Sequence, residues 1–253
     1  MSNHFKIFIP FYNVRKWAPY TIGSVMRQDY ENFQCILVDD LSTDGSVDVV
    51  KNLIKDDDRF VLIENEEKKY VIENMCAALE ESKPDKEDII VVLDGDDWFA
   101  GKNVLSVLDD VYNREKCWLT YGSYIEYPSM VVGKFAKQIP EEVINHNDIR
   151  RYQWVTGHLQ TFKYGLWENL DKEKSFKEPN SPDKEHHFMY GWDLAWMIPL
   201  VELAGHKSHY ISDILYVYNR ENPLNCDKIR HDQQLLTEQI VRSMAKYNPL
   251  ERL

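Results

Sequence analysis

A short apolar run that ends in a cluster of aspartates is the feature that most constrains how this chain can fold. Residues 89–93 are five consecutive apolar residues, and Asp94, Asp96 and Asp97 follow them directly. Such a run is typical of a strand buried on both faces. Carboxylates this close repel one another, so at least one should resist ionisation unless a cation lies among them. Mg²⁺ or Mn²⁺ is the natural occupant, because these ions prefer oxygen ligands and often share them with phosphate. An acidic turn in which an aspartate caps the next helix would account for the same residues.

The composition favours a folded, acidic protein of one large domain or two small ones. The chain has 253 residues, of which 43% are hydrophobic and 13% aromatic, so it can bury a substantial core. The formal net charge of −12 argues against nonspecific binding to nucleic acid, which needs a basic face. No apolar run is long enough to span a membrane, and the N-terminus lacks a signal-peptide pattern. Four scattered cysteines without C-x-x-C spacing predict free thiols in a reducing cytoplasm.

The first 120 residues alternate between strand and helix patterns. Strands are predicted over 5–9, 34–38, 60–64 and 89–94, and helices over 16–27, 47–55, 70–81 and 102–113. This alternation predicts a parallel sheet covered on both sides, in which ligands bind beyond the carboxyl ends of the strands. Residues 10–12, 39–40 and 94–97 all follow strands. We therefore expect them to converge in one crevice.

The second half is richer in aromatic residues and less regular. Strands are predicted over 118–127 and 210–218, and helices over 193–204 and 229–246. Residues 171–187 are polar and contain two prolines, which predicts a mobile loop. The last helix is amphipathic with charges of both signs, which favours packing on the domain over membrane docking. There is no internal repeat or long linker, so the second half is expected to complete a single domain.

Four segments resemble signatures of glycosyltransferase family 2, a large family of inverting enzymes with the GT-A fold. The sequence IFIPFYN at 7–13 resembles the family's opening strand, and ILVDDLSTDGS at 36–46 is a close match to its second-strand signature. The sequence LDGDDWF at 93–99 matches its metal motif. Gly-Trp-Asp at 191–193, which opens a predicted helix, resembles its general-base motif.

The resemblance implies an α/β fold of the GT-A (Rossmann-like) type, with a mostly parallel sheet flanked by helices and a mixed α/β second half. It implies one domain, in which residues 1–100 bind a nucleotide sugar and residues 101–253 bind the acceptor. The implied reaction is metal-dependent, inverting transfer from a nucleotide diphosphate sugar, expected to be a UDP-sugar, to a hydroxyl of a glycan or another acceptor.

The resemblance also implies roles for residues of the donor site. Tyr12, which follows Pro10 at the end of the first strand, would present a flat face to the nucleobase, and Asp40 would accept the N3–H of uracil. An acceptor carboxylate favours uridine because it suits an imide N–H, although guanine could also donate to it. Packing of Tyr12 at the sheet edge, or capping of the next turn by Asp39 or Asp40, would be the plain structural alternatives. Arg220 follows a predicted strand and could bind the diphosphate, or it could form a surface salt bridge.

The aspartates divide into metal and base candidates. Asp94 would lie nearest the ribose or brace the metal shell, Asp96 would be the direct ligand of Mn²⁺ or Mg²⁺, and Asp97 would bind through water or orient Asp96. Asp193 would be the general base that takes the proton from the acceptor hydroxyl. The dipole of the helix it opens would by itself lower its pKa. A plain helix cap is the alternative for Asp193.

The chain departs from the family pattern in three places. Leu41 stands where the family often has glycine, and Trp192 stands where it usually has an acidic residue. The segment 64–74 lacks the glycine and arginine that the family often has there, so Lys68 or Lys69 could take over the base contacts. The histidines are open: His158 could contact a phosphate, the acceptor or the metal, or could be a core residue, and metal binding by the pair at 186–187 is disfavoured.

Two other functions fit parts of the sequence. A nucleotidyltransferase also uses paired carboxylates, but residues 9–13 lack the glycine-rich phosphate loop with which those enzymes usually open. A noncatalytic module that binds nucleotide sugars would keep the fold without the chemistry, and the unusual Gly-Trp-Asp step leaves this reading open.

Overall fold

Parallel strands form the first half of the sheet and bring their carboxyl ends to one edge. The computed structural model describes residues 2–177 and 187–253. Strand β1 (Phe5–Phe11) pairs in parallel with β2 (Phe33–Asp39) and β4 (Ile89–Val92), and β2 pairs in parallel with β3 (Phe60–Glu64). The predicted alternation is confirmed. The crossover helices are α1 (Ala18–Met26), α2 (Ser46–Ile54) and α3 (Tyr70–Ser82), and α4 (Val104–Glu115) follows β4.

The second half extends the same sheet with mixed strand directions. The added strands are β5 (Trp98–Phe99), β6 (Leu119–Tyr127), β7 (Val131–Val132), β8 (Gly157–Lys163) and β9 (Ser208–Asn219). In the described chain the strand order is β3-β2-β1-β4-β8-β6-β9-β5, with β7 paired to β6. Strand β8 runs antiparallel to both of its neighbours, whereas β6 and β9 run parallel.

The remaining helices pack around this second half. They are α5 (Glu141–Asn145), α6 (Tyr164–Glu168), α7 (Lys172–Phe176), α8 (Trp192–Ala204), α9 (Cys226–Ile229) and α10 (His231–Ser243). The loop predicted over 171–187 is wrong for residues 172–176, which form α7. Phe176 is fully buried against Trp167, so this polar stretch is anchored by one aromatic side chain. Residues 178–186, the rest of the predicted loop, lie outside the described residues.

Two apolar layers lie on opposite faces of the sheet. Alternate strand residues point to opposite faces, so Phe8 joins one layer while Ile7 and Ile9 join the other. Helices α3 and α8 cover the first layer, and α1 and α4 cover the second. Both layers leave the carboxyl ends of β1, β2 and β4 uncovered, which is where the predicted crevice lies. In the described part of the chain, no helix is long and apolar enough to cross a membrane.

Candidate functional site

A cavity of about 720 Å³ opens at the carboxyl ends of the parallel strands. Its volume lies within the range of small-molecule sites, roughly 300–1,000 Å³. The strand ends, the start of α3, the start of α8 and the segment after β9 all contribute to its walls. The predicted site residues that line it are Pro10, Tyr12, Asp40, Lys68, Asp94, Asp96, Asp193 and Arg220. Asp97 does not belong to the lining.

Tyr12, Asp40 and Lys68 meet at one end of the cavity. The Lys68 Nζ lies 3.3 Å from the centroid of the Tyr12 ring and 3.1 Å from Asp40 Oδ2. Asp40 Oδ1 accepts a hydrogen bond of 2.8 Å from the backbone N–H of Lys69, so this carboxylate also secures the start of α3. Burial opposes ionisation of Asp40, but the hydrogen bonds from Lys69 and Lys68 and the Lys68 charge outweigh it and lower the pKa of the carboxyl. Asp39, by contrast, accepts from the backbone N–H of Ser42 and caps the turn before α2.

Asn74 lines this end of the cavity and is bonded by Asn65, and sequence reasoning missed both. Asn74 on α3 is fully buried, lines the cavity, and accepts a hydrogen bond of 2.7 Å from Asn65 Nδ2. The Asn74 amide favours the charged form of Asp40. Its Nδ2 nevertheless has no hydrogen bond of ordinary geometry with the described residues. Nδ2 is the only donor of this amide and is buried from solvent, so its stabilising effect is on the Asp40 carboxylate.

The three motif aspartates have different surroundings. Asp97 is 1% exposed, and its two oxygens accept from the Tyr216 hydroxyl at 2.6 Å and from the Asn219 backbone N–H at 2.7 Å. Asp96 Oδ2 accepts from Asn222 Nδ2 at 2.7 Å. Only Asp94 and Asp96 therefore reach the cavity, while Asp97 ties the motif to the end of β9.

The aspartate cluster resists ionisation, but burial is the main cause, rather than the mutual repulsion on which the sequence-based expectation depends. Burial raises the pKa of Asp94 to about 8, with further contributions from the charges of Asp96 and Asp193. Burial also raises the pKa of Asp96 and Asp97. A divalent cation would relieve both the desolvation and the repulsion, so this donor set fits one. Within residues 2–177 and 187–253, no group of three His, Cys, Asp or Glu side chains could hold a metal alone.

The position between Asp94 and Asp96 requires glycine (Gly95) because the backbone there packs closely against β1. A Cβ at this position would lie 2.4 Å from the Phe11 Cβ and 2.8 Å from the Pro10 carbonyl oxygen. Only a residue without a side chain lets the strand end pass this close to β1. The close approach keeps Asp94 and Asp96 beside the carboxyl end of β1.

Asp193 lies in the first turn of α8, two residues after Gly191, whose φ of 66° lies in the left-handed region. Burial raises the pKa of Asp193 to about 6, although backbone hydrogen bonds at residues 193 and 194 favour the charged form. The dipole argument alone predicts a lowered pKa, but desolvation outweighs the dipole here. The carboxyl is thus matched to proton transfer near neutral pH. The Trp192 and Trp196 rings pack beside it, with centroids 4.6 Å apart.

His158 and Arg220 lie on the far wall, near the end of β9. The His158 ring stacks on Tyr216 with centroids 4.5 Å apart, and burial lowers the pKa of the imidazole to about 4. It is therefore neutral at physiological pH. The Arg220 guanidinium lies 5.5 Å from the centroid of the Tyr218 ring. His187 instead bonds Glu73 at 2.9 Å, and His186 lies outside the described residues.

The partners of the aspartate motif are the main residues that sequence reasoning missed. Tyr216, Asn219 and Asn222 lie more than 100 positions from the motif in the chain. The antiparallel pairing of β9 with β5, which directly follows Asp97, brings them to the motif. The one feature of the sequence that could have indicated these three residues is their closeness to Arg220, which is itself a predicted site residue.

Comparisons with known proteins agree with this geometry. The model of the family described as "Glycosyl transferase family 2" matches residues 6–170. The chain is 31% identical over 147 residues to the Escherichia coli UDP-Glc:alpha-D-GlcNAc-diphosphoundecaprenol beta-1,3-glucosyltransferase WfaP, covering 58% of this chain and 55% of that protein. The chain spans about half the length of the curated relatives it matches, with shares of 41%, 46% and 55% for three of them.

Solved structures with the GT-A fold superpose over most of the chain. S. aureus TarS 1–349 in complex with UDP-GlcNAc gives a TM-score of 0.64 at 18% identity, covering 87% of this chain and 59% of that chain. The mannosyltransferase PcManGT from Pyrobaculum calidifontis in complex with GDP-Man and Mn²⁺ gives 0.65 at 16% identity, covering 98% and 66%. At these identities the likeness establishes the fold alone, and it confirms the predicted fold class. Because the family model spans well over half of its residues, the chain belongs to glycosyl transferase family 2.

Proposed function

We propose that this protein transfers a sugar from a UDP-sugar to a hydroxyl acceptor, with a divalent metal and with inversion at the anomeric carbon. One observation carries the proposal. A single cavity is lined by Tyr12 and Asp40, by Asp94 and Asp96, and by Asp193. A flat apolar face, a pair of carboxylates and a base are the groups that a nucleotide diphosphate sugar and an attacking hydroxyl require.

The base-binding end supports uracil. The ionised Asp40 carboxylate accepts the imide N–H, and the buried Asn74 amide favours the charged form of that carboxylate. Lys68 covers the Tyr12 ring, so it must move aside if the base stacks on that face. The displaced ammonium would remain within reach of a donor carbonyl or phosphate, which is how it takes over from the family's arginine. The TarS structure contains UDP-GlcNAc, whereas the mannosyltransferase structure contains GDP-Man. Because these two relatives in fold bind different nucleotides, the proposed preference for UDP depends on the residues of this chain.

Asp94 and Asp96 would hold the metal, and the donor diphosphate would complete its ligands. When bound, Mn²⁺ or Mg²⁺ neutralises charge that grows on the leaving diphosphate. Asn222 orients Asp96, and Tyr216 and Asn219 hold Asp97 beneath it. Arg220 borders the same part of the cavity and can offer its guanidinium to the phosphates.

Asp193 would act as the general base. As the acceptor oxygen attacks the anomeric carbon, its proton passes to the Asp193 carboxylate and the bond to the diphosphate breaks. One displacement supported by one base inverts the anomeric configuration. Trp192 and Tyr190 line the same cavity as Asp193. Their rings give the acceptor sugar an apolar surface on which to pack.

We also propose that residues 1–253 act as one domain with two halves. The cavity takes its nucleotide end from residues before 100 and its base, Asp193, from the second half. Neither half contains the complete set of groups.

A donor-hydrolysis assay tests this proposal. The protein is incubated with UDP-glucose, UDP-N-acetylglucosamine or GDP-mannose, with Mn²⁺ or with EDTA, and the released nucleotide diphosphate is measured. We expect release from a UDP-sugar with Mn²⁺, and loss of release with EDTA or in Asp96→Ala. Binding of UDP without release from any donor would favour the noncatalytic module. Release from GDP-mannose alone would refute UDP specificity.

A further inference from the structure

Exposed apolar side chains concentrate at the mouth of the cavity. Two segments, 130–135 and 224–236, hold most of the large hydrophobic residues that the described chain exposes. Isolated exposed apolar residues are ordinary, but a contiguous group marks an interaction surface. We call this group the apolar rim: Met130, Val131, Val132, Phe135, Leu224, Ile229, Leu235 and Leu236, each 39–58% exposed.

The sheet brings these two segments together. Strands β6 and β9 run parallel with Tyr127 opposite Asn219, so the chain leaves both strands at the same end of the sheet. The Arg220 backbone N–H donates to the Tyr127 carbonyl oxygen at 2.8 Å, which joins the two exits. Phe135, Leu224, Ile229 and Leu235 all line the cavity, so the rim is continuous with the site.

The fold does not need these side chains for its own packing. Helix α10 buries Thr237 and Val241 against the domain, while Leu235 and Leu236 stay exposed. Both residues of β7 are exposed as well. Side chains that stay 39–58% exposed bury only part of their apolar surface in the domain, and the rest of that surface is available to a partner.

The charge around the rim is opposite to that of the whole chain. Residues 128–138 and 220–236 hold five basic and three acidic residues, whereas the chain has 30 basic and 42 acidic residues. Four basic residues are exposed within these segments (Lys134, Lys137, Lys228 and Arg230), and so are two acidic ones (Glu221 and Asp232). Apolar side chains interspersed with exposed basic ones are suited to an anionic lipid surface. Screening within about 8 Å at physiological salt keeps the distant acidic surface from cancelling this attraction.

We propose that the apolar rim docks on an anionic lipid membrane, with the mouth of the cavity facing the bilayer. A second copy of the chain is the alternative occupant, and the oligomeric state of the protein distinguishes it from the membrane. The proposal does not depend on transfer activity. If the protein transfers sugar as proposed above, membrane docking assigns the acceptor hydroxyl to a membrane-anchored molecule.

Vesicle sedimentation tests the proposal without any substrate. The full chain is mixed with vesicles of phosphatidylcholine, alone or with one third phosphatidylglycerol, at physiological and at high salt. We expect binding to the anionic vesicles, weaker binding to the neutral ones, and release of the protein at high salt. Absence of binding to anionic vesicles, or equal binding to both kinds, would overturn the proposal.

Matched variants assign the binding to the rim. Met130→Ser with Leu236→Ser takes one exposed residue from each segment and should lower the partition coefficient at least about tenfold. Tyr20→Ser, on α1 and 54% exposed, is the control and should bind like the parent. Thermal melting verifies that each variant folds. An equal loss in the control, or a parental dimer in sedimentation equilibrium that the double variant abolishes, would overturn the membrane assignment.

The basic residues have their own test. Lys134→Glu with Lys137→Glu should remove the preference for anionic vesicles, because the basic side chains of segment 128–138 are reversed. Lys102→Glu, an exposed change outside both segments, should keep that preference. An unchanged preference in the double variant would contradict the charge argument.

Discussion

The pH dependence of catalysis is the sharpest consequence of the Asp193 environment. A carboxyl with a pKa of about 6 is roughly nine-tenths ionised at pH 7 and about one-tenth ionised at pH 5. Since the base must be ionised to accept a proton, kcat/KM should approach its maximum above pH 7 and fall about tenfold between pH 7 and pH 5. The charge of Glu238 contributes to the raised pKa, so Glu238→Gln should move the acidic limb to lower pH.

Asp193→Asn tests the same assignment by removing the base. The amide keeps the size of the side chain but cannot take the proton, so the rate should fall about 10²–10⁴-fold and the acidic limb near pH 6 should disappear. The assay is nucleotide release from a UDP-sugar across pH 5–8, with binding of UDP and thermal melting as controls. Parental rates in Asp193→Asn, or an unchanged acidic limb in that variant, would refute the role of Asp193.

Three further substitutions test the other parts of the site. Asp40→Ala should weaken UDP binding by roughly 1–3 kcal/mol in calorimetry, and unchanged affinity would mean that Asp40 only secures α3. Tyr216→Phe leaves Asp97 short of one donor and should lower the free energy of unfolding by roughly 1–3 kcal/mol in urea; Tyr20→Phe is the exposed control, and equal effects would contradict the buried contact. Gly95→Ala should lower the melting temperature and abolish nucleotide release, because its Cβ meets the β1 backbone, and a parental melting temperature would contradict the close approach.

The first half of the fold was predictable because each of its signals is local. Apolar runs ended by Pro10, Asp39 or Asp94 mark parallel strands, and parallel strands deliver those residues to one edge. Strand β8 was not predicted, since GHLQTFK alternates poorly and its place between β4 and β6 depends on antiparallel pairing with distant strands. Helix α7, which lies within the predicted loop, was not predicted because a single buried residue, Phe176, anchors it to the domain.

The site, like the fold, was predictable where its residues directly follow predicted strands. Residues that follow strands, such as Asp40 and Asp96, reach the cavity by topology alone. The balance of the Asp193 pKa was not predictable, since desolvation depends on the packing of α8 rather than on its sequence. Nor could the sequence assign Asn222 to Asp96, because that contact needs β9 in place.

The configuration of the first-formed sugar tests the central claim most directly. UDP-glucose, which is α-linked, is incubated with the protein and Mn²⁺, and proton NMR spectra are recorded before the released sugar mutarotates. The account predicts that the β-anomer forms first, that its formation stops with EDTA, and that it is lost in Asp96→Ala. First formation of the α-anomer, or equal release in the presence of EDTA, would contradict metal-dependent transfer by a single displacement.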